Sequence, residues 1–207
     1  SEMCIRDRFY DVSRGSIEIN GVDIRKYNLE SLRTQIGYVA QKAHMFKGSI
    51  RSNICFGKPE ASVEEMVHAA TVAQASNFIS ARECGYEDEI AEDGTNISGG
   101  QKQRLSIARV ILKKPSLYIY DDSFSALDFK TDATLRKALK PEVKNAIFFV
   151  VAQRISTIMD SDMIIVLDEG QIIGMGTHAQ LLKDCSVYQE IAHSQLTQKE
   201  LDDYERN

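Results

Sequence analysis

The sequence predicts an α/β fold in which a parallel sheet is interrupted by a helical lobe, and three observations predict it. Short apolar runs at residues 36–40, 117–120, 147–151 and 163–167 are too brief for helices and are spaced by helical or loop segments, the pattern of a parallel α/β sheet. Between Gln41 and about Lys114 the apolar period changes from short runs to helical spacing. The composition, 43% hydrophobic and 27% charged with 3 Pro in 207 residues, is that of a globular chain, which excludes disordered and collagen-like order.

The elements follow in order. Residues 16–19 and 22–24 alternate apolar and polar around Asn20-Gly21, a strong turn pair, so a β-hairpin is expected. Residues 29–32 read as a short helical turn leading into the strand that ends at Gln41. Ser62 and Glu65 form a capping box, with Val63, Met66, Val67 and Ala70 on one helical face. A loop over 92–100 precedes a second amphipathic helix with Leu105, Ala108, Ile111 and Leu112 inward, stopped near Pro115. Residues 117–120, Ile147–Val151 and 163–167 are expected as buried strands, and Tyr118 and Tyr120 share one face by the period of two. Asp168-Glu169-Gly170 turns into an antiparallel edge strand at 171–174, Thr177 caps a helix, and residues 194–207 form a polar tail.

Several functions are excluded or disfavoured. The longest apolar run, residues 146–152, is far short of the roughly 20 residues needed to span a bilayer. A net charge of -5 and the lack of a Lys/Arg track give no pull toward nucleic acid. The histidines His44, His68, His178 and His193 lack metal-ligand spacing, and the cysteines form no CxxC pair, so a reducing compartment is expected.

Three predicted strands end in polar side chains: Gln41, the pair Asp121 and Asp122, and Gln153. Ligands of parallel sheets bind at the carboxyl ends of strands, so these residues are candidates for one site. Asp121, after a buried strand, suits either Mg²⁺ beside nucleotide phosphates or a helix cap. Asp122 stands where a general base faces an attacking water. Ser98-Gly99-Gly100-Gln101 opens a helix, with Ser98 as N-cap and two glycines leaving amides uncovered; an anion site and a plain turn with a cap explain it equally.

Taken in order, these segments resemble the nucleotide-binding domain of ABC transporters of the exporter type. Tyr38-Val39-Ala40-Gln41 is similar to the Q-loop, Ile97-Ser98-Gly99-Gly100-Gln101 to the signature motif, and residues 117–122 to the Walker B strand. Ser125-Ala126-Leu127-Asp128 resembles the D-loop, residues 92–96 the loop by which exporters sense their membrane helices, and Ala152-Gln153-Arg154 the switch loop. The resemblance extends from about Phe9 to Ala192. It implies a P-loop NTPase (RecA-like) core with antiparallel edge strands and an inserted helical subdomain. The implied division is a partial core over 9–41, the subdomain over 42–114, the continued core over 115–192 and a tail over 193–207, with 1–8 a non-native leader.

The resemblance also implies ATP and Mg²⁺ as cofactors. Gln41 and Asp121 would hold Mg²⁺, with Gln41 also coupling the nucleotide to the membrane part. Asp122 and Gln153 would act in catalysis. Ser98, Gly99, Gly100, Gln101 and Asp128 would bind ATP, the first three at the γ-phosphate of a nucleotide held by a partner. The implied partners are a second nucleotide-binding domain and a transmembrane domain, at the cytoplasmic face of the cell membrane.

Three departures qualify that expectation. No G-x-x-x-x-G-K-[ST] phosphate loop occurs in the chain, and the adenine-stacking aromatic that the family places before it is missing too. Residues 1–8 stand where a helix following that loop is expected and do not look like one. The position of the family's catalytic Glu is Asp122, one methylene shorter, and the switch-loop His is Gln153, which carries no charge near neutral pH. With an intact signature motif, this resembles the half of a heterodimeric exporter that has a degenerate site of its own and completes its partner's. The alternatives are a fully active homodimeric ATPase, or, for these 207 residues alone, an inactive fragment serving at most as an interaction module.

Overall fold

The computed structural model describes residues 14–197, and the chain divides into two compact units between Phe149 and Val150. The leader expected over 1–8 and most of the tail expected over 193–207 lie outside the described residues.

In the first unit, β1 (Glu18–Ile19) and β2 (Val22–Asp23) form the expected hairpin. Its turn is left-handed at both central residues, Asn20 at φ 52° and Gly21 at φ 73°, as an Asn-Gly pair permits. Asn28 caps α1 (Leu29–Gln35) by accepting from the amides of Glu30 and Ser31, and the helix runs longer than the single turn expected. β3 (Ile36–Val39) follows directly. Its residues pair in parallel with β6 (Leu117–Asp121), with Val39 opposite Tyr120. Ile24, Leu32, Ile36 and Ile119 pack together on this side of the sheet.

Between β3 and β6 the chain builds the helical lobe. β4 (Gly48–Ser49) leads into α2 (Ile50–Ile54) and is followed by α3 (Val63–Val72) and α4 (Ser76–Ser80), while β5 (Glu89–Ile90) pairs antiparallel with β4. The capping box of Ser62 and Glu65 forms as expected. The inner face of α3 is Met66, Ala69, Ala70 and Val72, whereas Val63 and Val67 of the expected face are exposed. The small alanines allow α3 to lie close to α5 (Gly99–Lys113), the long helix that also packs on α2 and β3. Leu105, Ala108, Ile111 and Leu112 are buried on α5 as its periodicity predicts. Lys114 ends the helix in the left-handed conformation just before Pro115.

Gly37 is where sheet and helix come closest. A Cβ on it would stand 2.5 Å from Val110 Cγ1 and 2.6 Å from the Pro115 ring, so glycine lets α5 settle against β3.

After β6, α6 (Phe129–Glu142) leads to β7 (Ile147–Val151), which takes the other side of β6 in the order β3-β6-β7. Tyr118 and Tyr120 both meet the Phe148 ring, at centroid distances of 6.3 and 4.9 Å, which places them on one face as the alternation required. The expectation of a buried β7 needs correction: Ile147 and Phe149 are 67% and 49% exposed. β7 has a single strand neighbour among the described residues, and a continuous apolar run does not by itself distinguish an edge strand from a central one.

In the second unit, α7 (Ile155–Ile158) precedes the antiparallel pair of β8 (Ile164–Asp168) and β9 (Gln171–Gly176). The hairpin is as expected, with Glu169 and Gly170 both at positive φ in its turn. The run at 163–167 was expected as a further buried strand of the parallel sheet. Among the described residues β8 pairs only with β9, and its Ile165 and Leu167 are exposed. Ile164 and Val166 instead face a small core with Leu181 of α8 (His178–Asp184), Tyr188 and Ala192 of α9 (Ser186–Gln195), and Cys185 between the two helices. Thr177 caps α8 through a capping box with Gln180, as its sequence predicts.

Candidate functional site

The parallel register of β3 and β6 brings their carboxyl ends side by side. Gln41 stands two residues beyond the end of β3, and its Nε2 donates to Asp122 Oδ2 at 3.1 Å across 81 residues of sequence. Tyr38, on β3, donates from its hydroxyl to Asp121 Oδ2 at 3.2 Å. Two of the three strand ends singled out in the sequence therefore converge.

Asp122 is nearly buried and has φ 43°, a left-handed conformation that Asp tolerates better than most residues. The turn that follows holds it there. Ser125 donates from its backbone N and from Oγ to the Asp122 carbonyl, at 3.3 and 2.7 Å, and the Leu127 amide donates to the Phe124 carbonyl. Ser123, fully buried, donates from Oγ to the Val39 carbonyl at 3.0 Å, tying this turn back to β3. Two carboxylates and an amide thus stand on a braced backbone at the carboxyl end of the sheet.

The donor chemistry fits Mg²⁺. Because the Gln41 Nε2 faces Asp122, its Oε1 is left without that partner, and it and the Asp121 carboxylate are hard oxygen donors of the kind this ion prefers. No group of three or more His, Cys, Asp or Glu suited to a metal occurs among the described residues. A site of one or two protein oxygens completed by phosphates is the usual arrangement for Mg²⁺.

At the start of α5, Ser98 accepts from the Gln101 amide at 3.3 Å, while Gln101 Oε1 accepts from the Ser98 amide at 3.0 Å. This reciprocal cap frees Gly99, which has no neighbour within 4 Å of where a Cβ would stand. The uncovered amides and helix dipole make this end receptive to an anion. A Cβ on Gly100 would stand 3.3 Å from the Ala126 carbonyl, so the second glycine admits the backbone of residues 125–128. Asp128 caps α6 by accepting from the Thr131 amide at 2.9 Å, and that hydrogen bond holds its carboxyl below the usual carboxylate range.

Gln153 lies in the second unit, exposed and just past β7, where its backbone carbonyl accepts from Gln195 Nε2 at 2.9 Å. Sequence reasoning missed Tyr38, Ser123 and Gln103. Gln103 is 1% exposed on α5 and donates from Nε2 to the Ala40 carbonyl at 3.0 Å. A signal for it was present, since Gln103 shares an inward helical face with Ile107 and Val110, where a polar residue is out of place.

The ABC transporter family matches residues 5–125. The chain is 44% identical over 184 residues to the Uncharacterized ABC transporter ATP-binding protein YknU of Bacillus subtilis, covering 89% of this chain and 32% of that protein. It is 39% identical over 196 residues to ABC transporter B family member 2 of Dictyostelium discoideum, covering 95% of this chain and 14% of that protein. Among solved structures, that of a bacterial Atm1-family ABC exporter with ATP bound superposes with a TM-score of 0.90 at 36% identity, over 93% of this chain and 34% of the exporter chain. The chain spans about a third or less of the length of these relatives. With more than half of its length matched and its P-loop NTPase fold shared with a solved exporter, the chain belongs to the ABC transporter family.

Proposed function

We propose that the chain is the ATP-binding and ATP-hydrolysing part of a membrane ABC exporter, acting at the cytoplasmic face of the cell membrane with Mg²⁺ as its cofactor. The carrying observation is the joining of Gln41 to Asp122 at 3.1 Å beside Asp121, at the carboxyl ends of two parallel strands. In this reading Asp121 and the Gln41 Oε1 hold Mg²⁺, which when bound neutralises charge on the nucleotide phosphates. Asp122 takes a proton from the attacking water, and Gln153 reaches the γ-phosphate as a neutral hydrogen-bond donor. Ser98, Gly99, Gly100 and Gln101 bind the γ-phosphate of a nucleotide held by a second ATP-binding domain, with Asp128 at the same interface. The domain division at 9–41, 42–114 and 115–192 belongs to this reading.

Two features favour a heterodimeric half over an active homodimer. Asp122 retracts its carboxylate by roughly 1 Å relative to Glu, and a displacement of that size costs on the order of 10²-fold in rate. Gln153 cannot become cationic near neutral pH. Both are departures from the residues that the family resemblance expects in a chain's own site, while the segment expected to serve the partner, Ser98 to Gln101, is intact. Because the chain spans about a third or less of the length of its relatives, ATP turnover is proposed for a full-length transporter. The test compares the full-length protein purified alone with the same protein assembled with its partner. Less than a tenth of the pair's ATPase rate is expected for the protein alone, and an equal rate contradicts the heterodimeric reading.

A further inference from the structure

The two backbone carbonyls that lead into Gln41 are each held by a buried side chain, and the two side chains come from different elements. Ser123, just past β6, holds the carbonyl of Val39. Gln103, on α5, holds the carbonyl of Ala40 from 63 residues away. The β3–β6 pairing stops at Val39 and Tyr120, so Gln103 grips the chain where the strand ladder no longer does.

A buried primary amide costs free energy unless it is hydrogen-bonded, and an apolar side chain would suit this face beside Ile107 and Val110. The amide therefore sets a position that an apolar residue would leave loose. Gln103 also lies about one helical turn from Ser98, Gly99 and Gly100, on the same continuous helix. A displacement of the start of α5 is passed by a rigid element and one hydrogen bond to the residue preceding Gln41.

We infer that Gln103 is a positioning residue that transmits the placement of Ser98, Gly99 and Gly100 to the amide of Gln41. The inference rests on the function proposed above, in which the helix start touches the partner's nucleotide and Gln41 touches this chain's own. Gln103 then links two nucleotide sites through the interior of one domain, with no contact to either ligand.

The test uses the full-length transporter without nucleotide, comparing wild type with Gln103→Met, which keeps an unbranched side chain and loses the donor. Gln103→Leu, which also removes the donor and is apolar like the neighbouring Ile107 and Val110, serves if the first variant folds poorly. The amide I band of a carbon-13 label at the Ala40 carbonyl is expected to move to higher frequency on loss of its donor, with a label at the Val39 carbonyl unchanged. In the assembled pair, kcat for ATP is expected to fall several-fold with KM within twofold. An unchanged Ala40 band overturns the inference whatever the turnover. A shift of both bands reports simple destabilisation and also overturns it, as does a shift at Ala40 alone with unchanged kcat. If the wild-type pair hydrolyses no ATP, the functional reading fails while the Ala40 band still decides whether the tie exists.

Discussion

Gln41 and Asp122 meet at 3.1 Å through an amide donor and a carboxylate acceptor, one beyond β3 and the other beyond β6. Asp122 holds its place through a left-handed backbone and a turn locked by Ser123 and Ser125, so its carboxylate cannot advance by swinging the main chain. Reach must come from the side chain. Asp122→Glu is expected to raise turnover at this chain's own site by about tenfold or more, in line with the rate cost of a misplacement near 1 Å. Single-turnover ATP hydrolysis, with the partner's site disabled, measures it.

Ser98 has two separable duties, as cap and as anion ligand. Ser98→Ala loses the cap and is expected to cost about 1 kcal/mol of stability. Ser98→Asp keeps a good cap but sets a carboxylate where a phosphate is expected to bind. The thermal midpoint of the Asp variant should therefore match wild type while ATPase of the assembled pair falls at least tenfold. An active Asp variant would remove the helix start from the site.

Gly37→Ala inserts a methyl group against Val110 and the rigid ring of Pro115. Overpacking of this kind costs about 1–3 kcal/mol. Thermal unfolding should drop by about 2–4 °C per kcal/mol for a chain of this size.

His178 is 2% exposed and its Nδ1 lies 2.7 Å from the Tyr188 hydroxyl. Burial pushes its pKa below the ordinary value of about 6.5, against a smaller opposing effect of Asp160. The unfolded chain therefore binds a proton at a higher pH than the folded one does. Stability is full above about pH 6.5 and is lost as pH falls from there through the lowered folded value. The unfolding midpoint should decline as pH falls below about 6.5, and His178→Gln should flatten that decline.

Much of this was legible in the sequence because local chemistry settled it. Asn20-Gly21, the capping box at Ser62, the helix caps at Ser98 and Thr177, and the inward face of α5 each depend on residues within a few positions of one another. The ordered polar strand ends marked Gln41, Asp121 and Asp122. What sequence did not reveal depends on contacts far along the chain. Tyr38 finds Asp121 across 83 residues and Gln103 finds Ala40 across 63, and no local pattern encodes either partner. β7 and β8 were misjudged as buried for a related reason: an apolar run states what a strand can bury, and its neighbours decide how much it does.

In the proposed heterodimer this chain lends Ser98 to Gln101 to a partner's active site while its own, built on Asp122, turns over slowly. The decisive experiment is the steady-state ATPase of the assembled full-length pair with one catalytic carboxylate replaced at a time. Replacing the partner's catalytic Glu by Gln is expected to abolish turnover, and Asp122→Asn to leave it within about twofold, as expected when the slow site already lags on the order of 10²-fold. Turnover that survives loss of the partner's Glu and disappears with Asp122→Asn would place the working site on this chain instead.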